Sequence, residues 1–72
     1  MPLSMLKEGE KARVVRVGGA EAARKHLGAL GFVPGAIIRV VSVTVNNMII
    51  AVHDSRIAIN GETALHVFVE SA

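Results

Sequence analysis

The sequence predicts a mainly β fold, a small, partly open barrel of about five short strands with one α-helix inserted after the first strand. Three features lead there. Runs rich in Val and Ile recur between turn signals such as Gly18-Gly19, Pro34-Gly35, Asn46-Asn47 and Asp54-Ser55, the pattern of strands joined by tight turns. A single stretch, Ala20 to Leu30, instead carries its apolar residues at Ala20, Ala23, Leu27 and Leu30, spacings that line one side of a helix. Short, bent strands in a chain of 72 residues must also hide their edges, and curling the sheet toward closure does so.

Taken in order, Leu3-Ser4-Met5-Leu6 is an apolar lead-in suited to covering one end of the barrel, and Lys7-Glu8-Gly9-Glu10 is a polar turn. Lys11 to Val17 sets Ala12, Val14, Val15 and Val17 among Lys11, Arg13 and Arg16, a β-branched first strand that Gly18-Gly19 ends. The helix over 20–30 places Glu21 four residues before Lys25, and Arg24, Lys25 and His26 lie toward the C-terminal end, where positive charge suits the helix dipole. Leu27 to Gly35 is the hinge of the chain. Gly31 follows the last helical-period leucine, where a residue at positive φ closes many helices, and Pro34 cannot prolong the helix. Pro34-Gly35 then has the form of a turn.

Beyond the hinge the period changes to two. Ala36 to Val45 places Ile37, Arg39, Val41, Val43 and Val45 on one face and Ile38 and Val40 on the other. Asn46-Asn47 tolerates positive φ, so Met48 to His53 is expected to fold back antiparallel. Asp54-Ser55 makes the next turn, into a strand from Arg56 to Asn60 with Ile57 and Ile59 on one face. Asn60-Gly61-Glu62-Thr63 reads as one helical turn, and the last strand, Leu65 to Glu70, directs Leu65, Val67 and Val69 inward.

This length makes one small domain, near the lower limit for a single hydrophobic core, where a partner or a second copy of the chain adds useful burial. Without cysteine there is no disulfide and no thiolate metal site, as suits a reducing cytosol. The apolar run Met48–Val52 is five residues, against the roughly 20 that span a bilayer, and Glu8 and Glu10 are unlike a signal peptide. A formal charge of +2 is too small to indicate nucleic acid by itself.

The residues Leu3-x-x-Leu6-x-x-Gly9-Glu10, Val14-Val15-x-Val17 with Gly18-Gly19, Arg24-x-x-Leu27-x-x-Leu30-Gly31-Phe32-x-Pro34-Gly35, Ile38-x-Val40-Val41 and Ala64-x-x-Val67-x-Val69-Glu70 resemble those of the FeoA family. That family comprises small cytosolic proteins of bacterial ferrous-iron uptake with an SH3-like barrel. The match runs over nearly the whole chain, and its central Leu-Gly-x-x-Pro-Gly is the most specific part. One departure stands out: after the fourth strand, where the family often carries a basic residue, this chain has Asn60-Gly61. The resemblance implies a cytoplasmic accessory protein, peripheral at the inner membrane through its partner. That partner is a FeoB-type transporter with a cytosolic GTP-binding portion. The alternative is an SH3-like domain of the kind appended to metal-dependent transcription repressors.

Residue chemistry adds little catalysis. His26, His53 and His66 stand at no close metal-ligand spacing. Although His53 with neighbouring Asp54 could meet a second ligand across strands, solvated histidines are the better reading, so neither a metal site nor a cofactor is expected. The serines show no nucleophile motif, which argues against an enzyme. Lys11, Arg13, Arg16, Arg24, Lys25 and Arg39 offer positive charge around the helix and first strands. The only aromatics are Phe32 and Phe68, however, too few for the stacking platforms of single-strand binders or a proline-rich peptide groove. Exposed apolar surface is the better candidate, because a small chain that is 51% hydrophobic leaves some outside. Two patches qualify. One is the hairpin with Val43, Val45, Met48 and Ile49. The other is the helix and hinge, where Leu27, Gly28, Phe32 and Val33 form an apolar centre rimmed by Arg24 and Lys25, a surface suited to a partner with an apolar anchor and carboxylates.

Overall fold

Alternation of apolar and polar side chains sets the sheet. In the computed structural model, which describes all of Met1–Ala72, strand β1 (Lys11–Val17) turns Ala12 and Val14 into the core and Lys11 and Arg13 outward. The helix α1 (Glu21–Ala29) follows, then β2 (Ile37–Val43), β3 (Asn47–Val52), β4 (Ser55–Asn60), a short helix α2 (Gly61–Leu65) and β5 (Val67–Ser71). All pairings are antiparallel, in the order β4-β3-β2-β1-β5. The expected order of one strand, one helix and four strands is therefore present, with α2 as the predicted helical turn. Two bulges, at Val15 in β1 and Val41 in β2, increase strand twist and help so small a sheet curl around one core.

That core holds Ile38, Val40, Ile50, Val52, Val67 and Val69 from the inner faces of the strands, with no buried polar side chain. Leu3 and Leu6 flank a 3₁₀ turn and are buried in the same cluster, so the apolar lead-in is part of the core. Its first residues also pair with β5: Pro2 lies opposite Phe68, and the Val69 N–H donates to the Met1 carbonyl at 2.7 Å. One edge of the open sheet is thus covered by the start of the chain, while β4 forms the other.

The hinge has well-defined geometry. At the end of α1 the Phe32 N–H donates to the Leu27 carbonyl at 3.0 Å and the Gly31 N–H to the Gly28 carbonyl at 3.1 Å, the paired bonds of a Schellman helix end. Gly31 has φ +108. A Cβ there would stand 2.7 Å from Val52 Cγ1 and 2.9 Å from His53 Cδ2, so the helix end is pressed against the β3–β4 turn. Val33-Pro34-Gly35-Ala36 forms a turn closed by Ala36 N–H to Val33 carbonyl at 3.0 Å, with Gly35 at φ +92, as a type II turn with proline second requires. The Gly35 N–H then donates to Val14 at 2.8 Å, docking the hinge on β1.

Several expected details differ. The β2–β3 turn is centred on Val45-Asn46 rather than Asn46-Asn47, and neither asparagine takes positive φ. The cause is Thr44, whose N–H and hydroxyl both bond the Asn47 carbonyl, at 2.8 and 3.1 Å, and whose hydroxyl also accepts the Asn47 N–H. The next turn is His53-Asp54 rather than Asp54-Ser55, with His53 in the left-handed region at φ 54. Leu65 does not face inward. α2 runs two residues beyond the expected turn, through Ala64 and Leu65, so Ala64 fills the core and Leu65 is 53% exposed.

Candidate functional site: the groove between the helices

α1 buries only Leu27 fully, with Leu30 half-buried against the core. Ala20 and Ala23, expected on the same apolar stripe, are exposed. Their position follows from the chain's entry into the helix. The Gly18 N–H donates to the His66 carbonyl at 2.7 Å, tying the end of β1 to the start of β5, and Gly19 turns at φ +92 beside the His66 ring. The helix therefore starts opposite α2 and leaves a gap. α2 is held by its cap, where Asn60 Oδ1 accepts the Thr63 N–H at 2.7 Å, and Glu62 in its first turn suits the dipole.

Between the two helices lies a groove of about 310 Å³. One wall is made of small and apolar residues, Gly18, Gly19, Ala20, Ala23 and Leu27, and the other of Asn60, Glu62, Thr63 and His66. Arg24 and Lys25, on the same helix, are exposed and do not line the groove. Lys25 Nζ is paired with Glu21 at 3.1 Å, whereas Arg24 has no ion-pair partner.

The predicted contact residues do not form one surface. Leu27, 3% exposed, lines the groove from the core side. Phe32 is 1% exposed and cannot be the expected contact residue, because the Schellman turn folds it under the helix end. Gly28 is half-buried, and Val33 is exposed at the hinge turn, outside the groove. In the hairpin patch Val43 and Val45 are exposed, but Met48 is buried and Ile49 half-buried. The wall formed by Asn60 to His66 escaped sequence reasoning, although small residues at 18, 19, 20 and 23 signal that something approaches or leaves space there. The departure from the family pattern at Asn60-Gly61 falls on this wall.

No three His, Asp or Glu side chains converge in the structure. Titration with Fe²⁺ or Zn²⁺ by calorimetry is expected to show only weak binding, and a submicromolar site lost in His53→Ala would contradict this. The half-buried Phe68 ring is covered by the Arg16 guanidinium, 4.3 Å from its centroid, so neither phenylalanine offers a stacking face.

A family model described as FeoA domain matches residues 1–71. The chain belongs to the FeoA family. Among solved structures, a protein described as iron uptake regulatory protein (FeoA) is 37% identical, with a TM-score of 0.89 over 96% of this chain and 93% of that one. FeoA from Chlorobium tepidum is 27% identical, with a TM-score of 0.92 over 99% of this chain and 70% of the other. Stenotrophomonas maltophilia FeoA, solved with zinc and described as a prokaryotic SH3 domain protein, is 29% identical, with a TM-score of 0.86 over 97% and 89% of the two chains. A manganese-dependent transcriptional repressor shares the fold at 15% identity, with this FeoA domain matching 41% of its length. No curated protein matches. The SH3-like description agrees with the open five-stranded sheet, and no helix is long and apolar enough to cross a membrane.

Proposed function

We propose that this FeoA domain is a non-enzymatic accessory of bacterial ferrous-iron uptake that binds the cytosolic, GTP-binding portion of a FeoB-type transporter through α1 and the groove beside it. The observation that carries the reading is the use the fold makes of α1. A nine-residue helix that gives Leu27 alone to the core contributes little to stability, yet it is displayed with Ala20, Ala23 and Arg24 toward solvent. Small residues along the groove leave room for a partner's apolar anchor, and the unpaired Arg24 suits a carboxylate at its rim. Such a protein works in the cytoplasm, held at the inner membrane by its partner.

Pull-down of the tagged domain from membranes, with and without iron, tests the reading. Recovery of the transporter supports it, and recovery of a DNA-bound regulator instead replaces it with the repressor-type reading. Arg24→Glu is expected to weaken binding by roughly 3- to 10-fold at low salt, as an exposed pair turned repulsive would. The difference should shrink at high salt and the melting temperature stay unchanged. Leu27 is a poor probe because its burial makes Leu27→Gln a stability variant first.

A further inference from the structure

The outward face of the sheet carries an uncompensated row of cations. The register sets Lys11 of β1 opposite Arg39 of β2, Arg39 opposite Ala51 of β3, and Ala51 opposite Arg56 of β4. All three cations are exposed. Like charges directly opposite on one face repel, and the ion pairs of the molecule, Arg13–Glu70 and Lys25–Glu21, lie outside this row. The nearby carboxylates of Glu10 and Glu8 accept from the backbone N–H groups of Lys7 and Val43 instead. A lone Arg56 would be ordinary protection for an edge strand. Lys11 and Arg39 sit on inner strands, where no edge needs protecting.

The row ends at an open edge. β4 pairs only with β3, and its other side has no backbone partner along Arg56–Ile59. The Gly61 N–H bonds Asn46 and the Thr44 N–H bonds Asn47, which fixes the alternation of the ladder. Ser55, Ile57 and Ile59 face β3, and the amides of Arg56 and Ala58 point away.

We propose that this edge and cation row take an acidic, extended segment of a partner protein. The segment adds to β4 as a further strand and sets alternate carboxylates on the outward face beside Arg56, within the field of Arg39 and Lys11. Free amides on the edge select a polypeptide, and the lack of an exposed aromatic face disfavours a nucleic acid. A second copy of the chain would bring the same cations against themselves. The surface shares no residue with the helix groove, so it stands or falls separately from the transporter reading.

The test uses a fluorescent peptide of alternating Glu and Val, with amide hydrogen exchange as the second readout. Binding should slow exchange at Arg56 and Ala58. Arg56→Glu and Lys11→Glu should each weaken binding roughly 3- to 10-fold at low salt and less at high salt. Lys11→Glu should at the same time raise the melting temperature, because it turns the repulsion with Arg39 into an attraction. Protection at the helix groove instead of β4, affinities unchanged by both variants, or tighter competing binding by oligo-dT or phosphatidylglycerol vesicles would each overturn the proposal. So would a β4-paired dimer of the free domain.

Discussion

Gly31→Val is expected to lower the melting temperature by about 10 °C or more. Two effects add: a β-branched residue held in the left-handed region costs about 1–2 kcal/mol, and overpacking against Val52 and His53 costs a further ~1–3 kcal/mol. The contacts are unusually close, since the added Cβ itself would lie 2.7 Å from Val52 Cγ1. A domain of 72 residues has a total stability of only about 4–11 kcal/mol, and each kcal/mol moves its melting point by roughly 4–8 °C. Thermal unfolding followed by circular dichroism measures the effect, and Gly31→Ala, with the same Cβ but no branch, should fall between parent and valine. A valine variant that melts with the parent would mean that the helix end can shift away from the β3–β4 turn at no cost.

Phe32→Ala should cost about 3–5 kcal/mol, the usual loss for a buried phenylalanine, and leave a population that is largely unfolded under mild denaturant. Phe32 is among the largest fully buried side chains and occupies the position just past the positive-φ glycine. A hydrophobic contact with the last turn of the helix accompanies this kind of helix end, and Leu27 in that turn is buried in the same cluster. The substitution therefore empties the core and loosens the end of α1 together. Urea unfolding should show a lower midpoint with an unchanged slope, and Phe32→Leu should recover most of the loss. If Phe32 instead contacted a partner, Phe32→Ala would bind less while unfolding like the parent.

Both variants act on the segment that presents α1. Gly31 and Phe32 end the helix, and Pro34-Gly35 turns the chain onto β1 through the bond from Gly35 to Val14. The groove wall made by α1 depends on this hinge for its position. The hinge itself contributes only Leu27 to the lining.

The order of the elements and the place where helix gives way to sheet can be read from the residues alone. The change from spacings of three and four to alternation, together with Gly31, Pro34 and Gly35, is local chemistry, since backbone sterics and side-chain period act between near neighbours. β1 was legible to the residue, Lys11–Val17, because its β-branched run is too short for a helix and Gly18-Gly19 ends it. Which apolar residues enter the core depends instead on long-range packing. Phe32 and Val33 are adjacent and similar in hydrophobicity, yet one is buried and the other exposed, according to how the helix end folds over β3 and β4. Ala64 and Leu65 divide in the same way, because the helix continues through both of them and turns Ala64, not Leu65, toward the core. Thr44 moved a turn by one residue through hydrogen bonds that the Asn46-Asn47 pattern does not encode. The groove likewise needs two segments about 40 residues apart in sequence, Gly18–Leu27 and Asn60–His66. Periodicity shows that a helix has an apolar side, but only the packing of both helices at one end of the sheet leaves Ala20 and Ala23 facing a gap instead of the core.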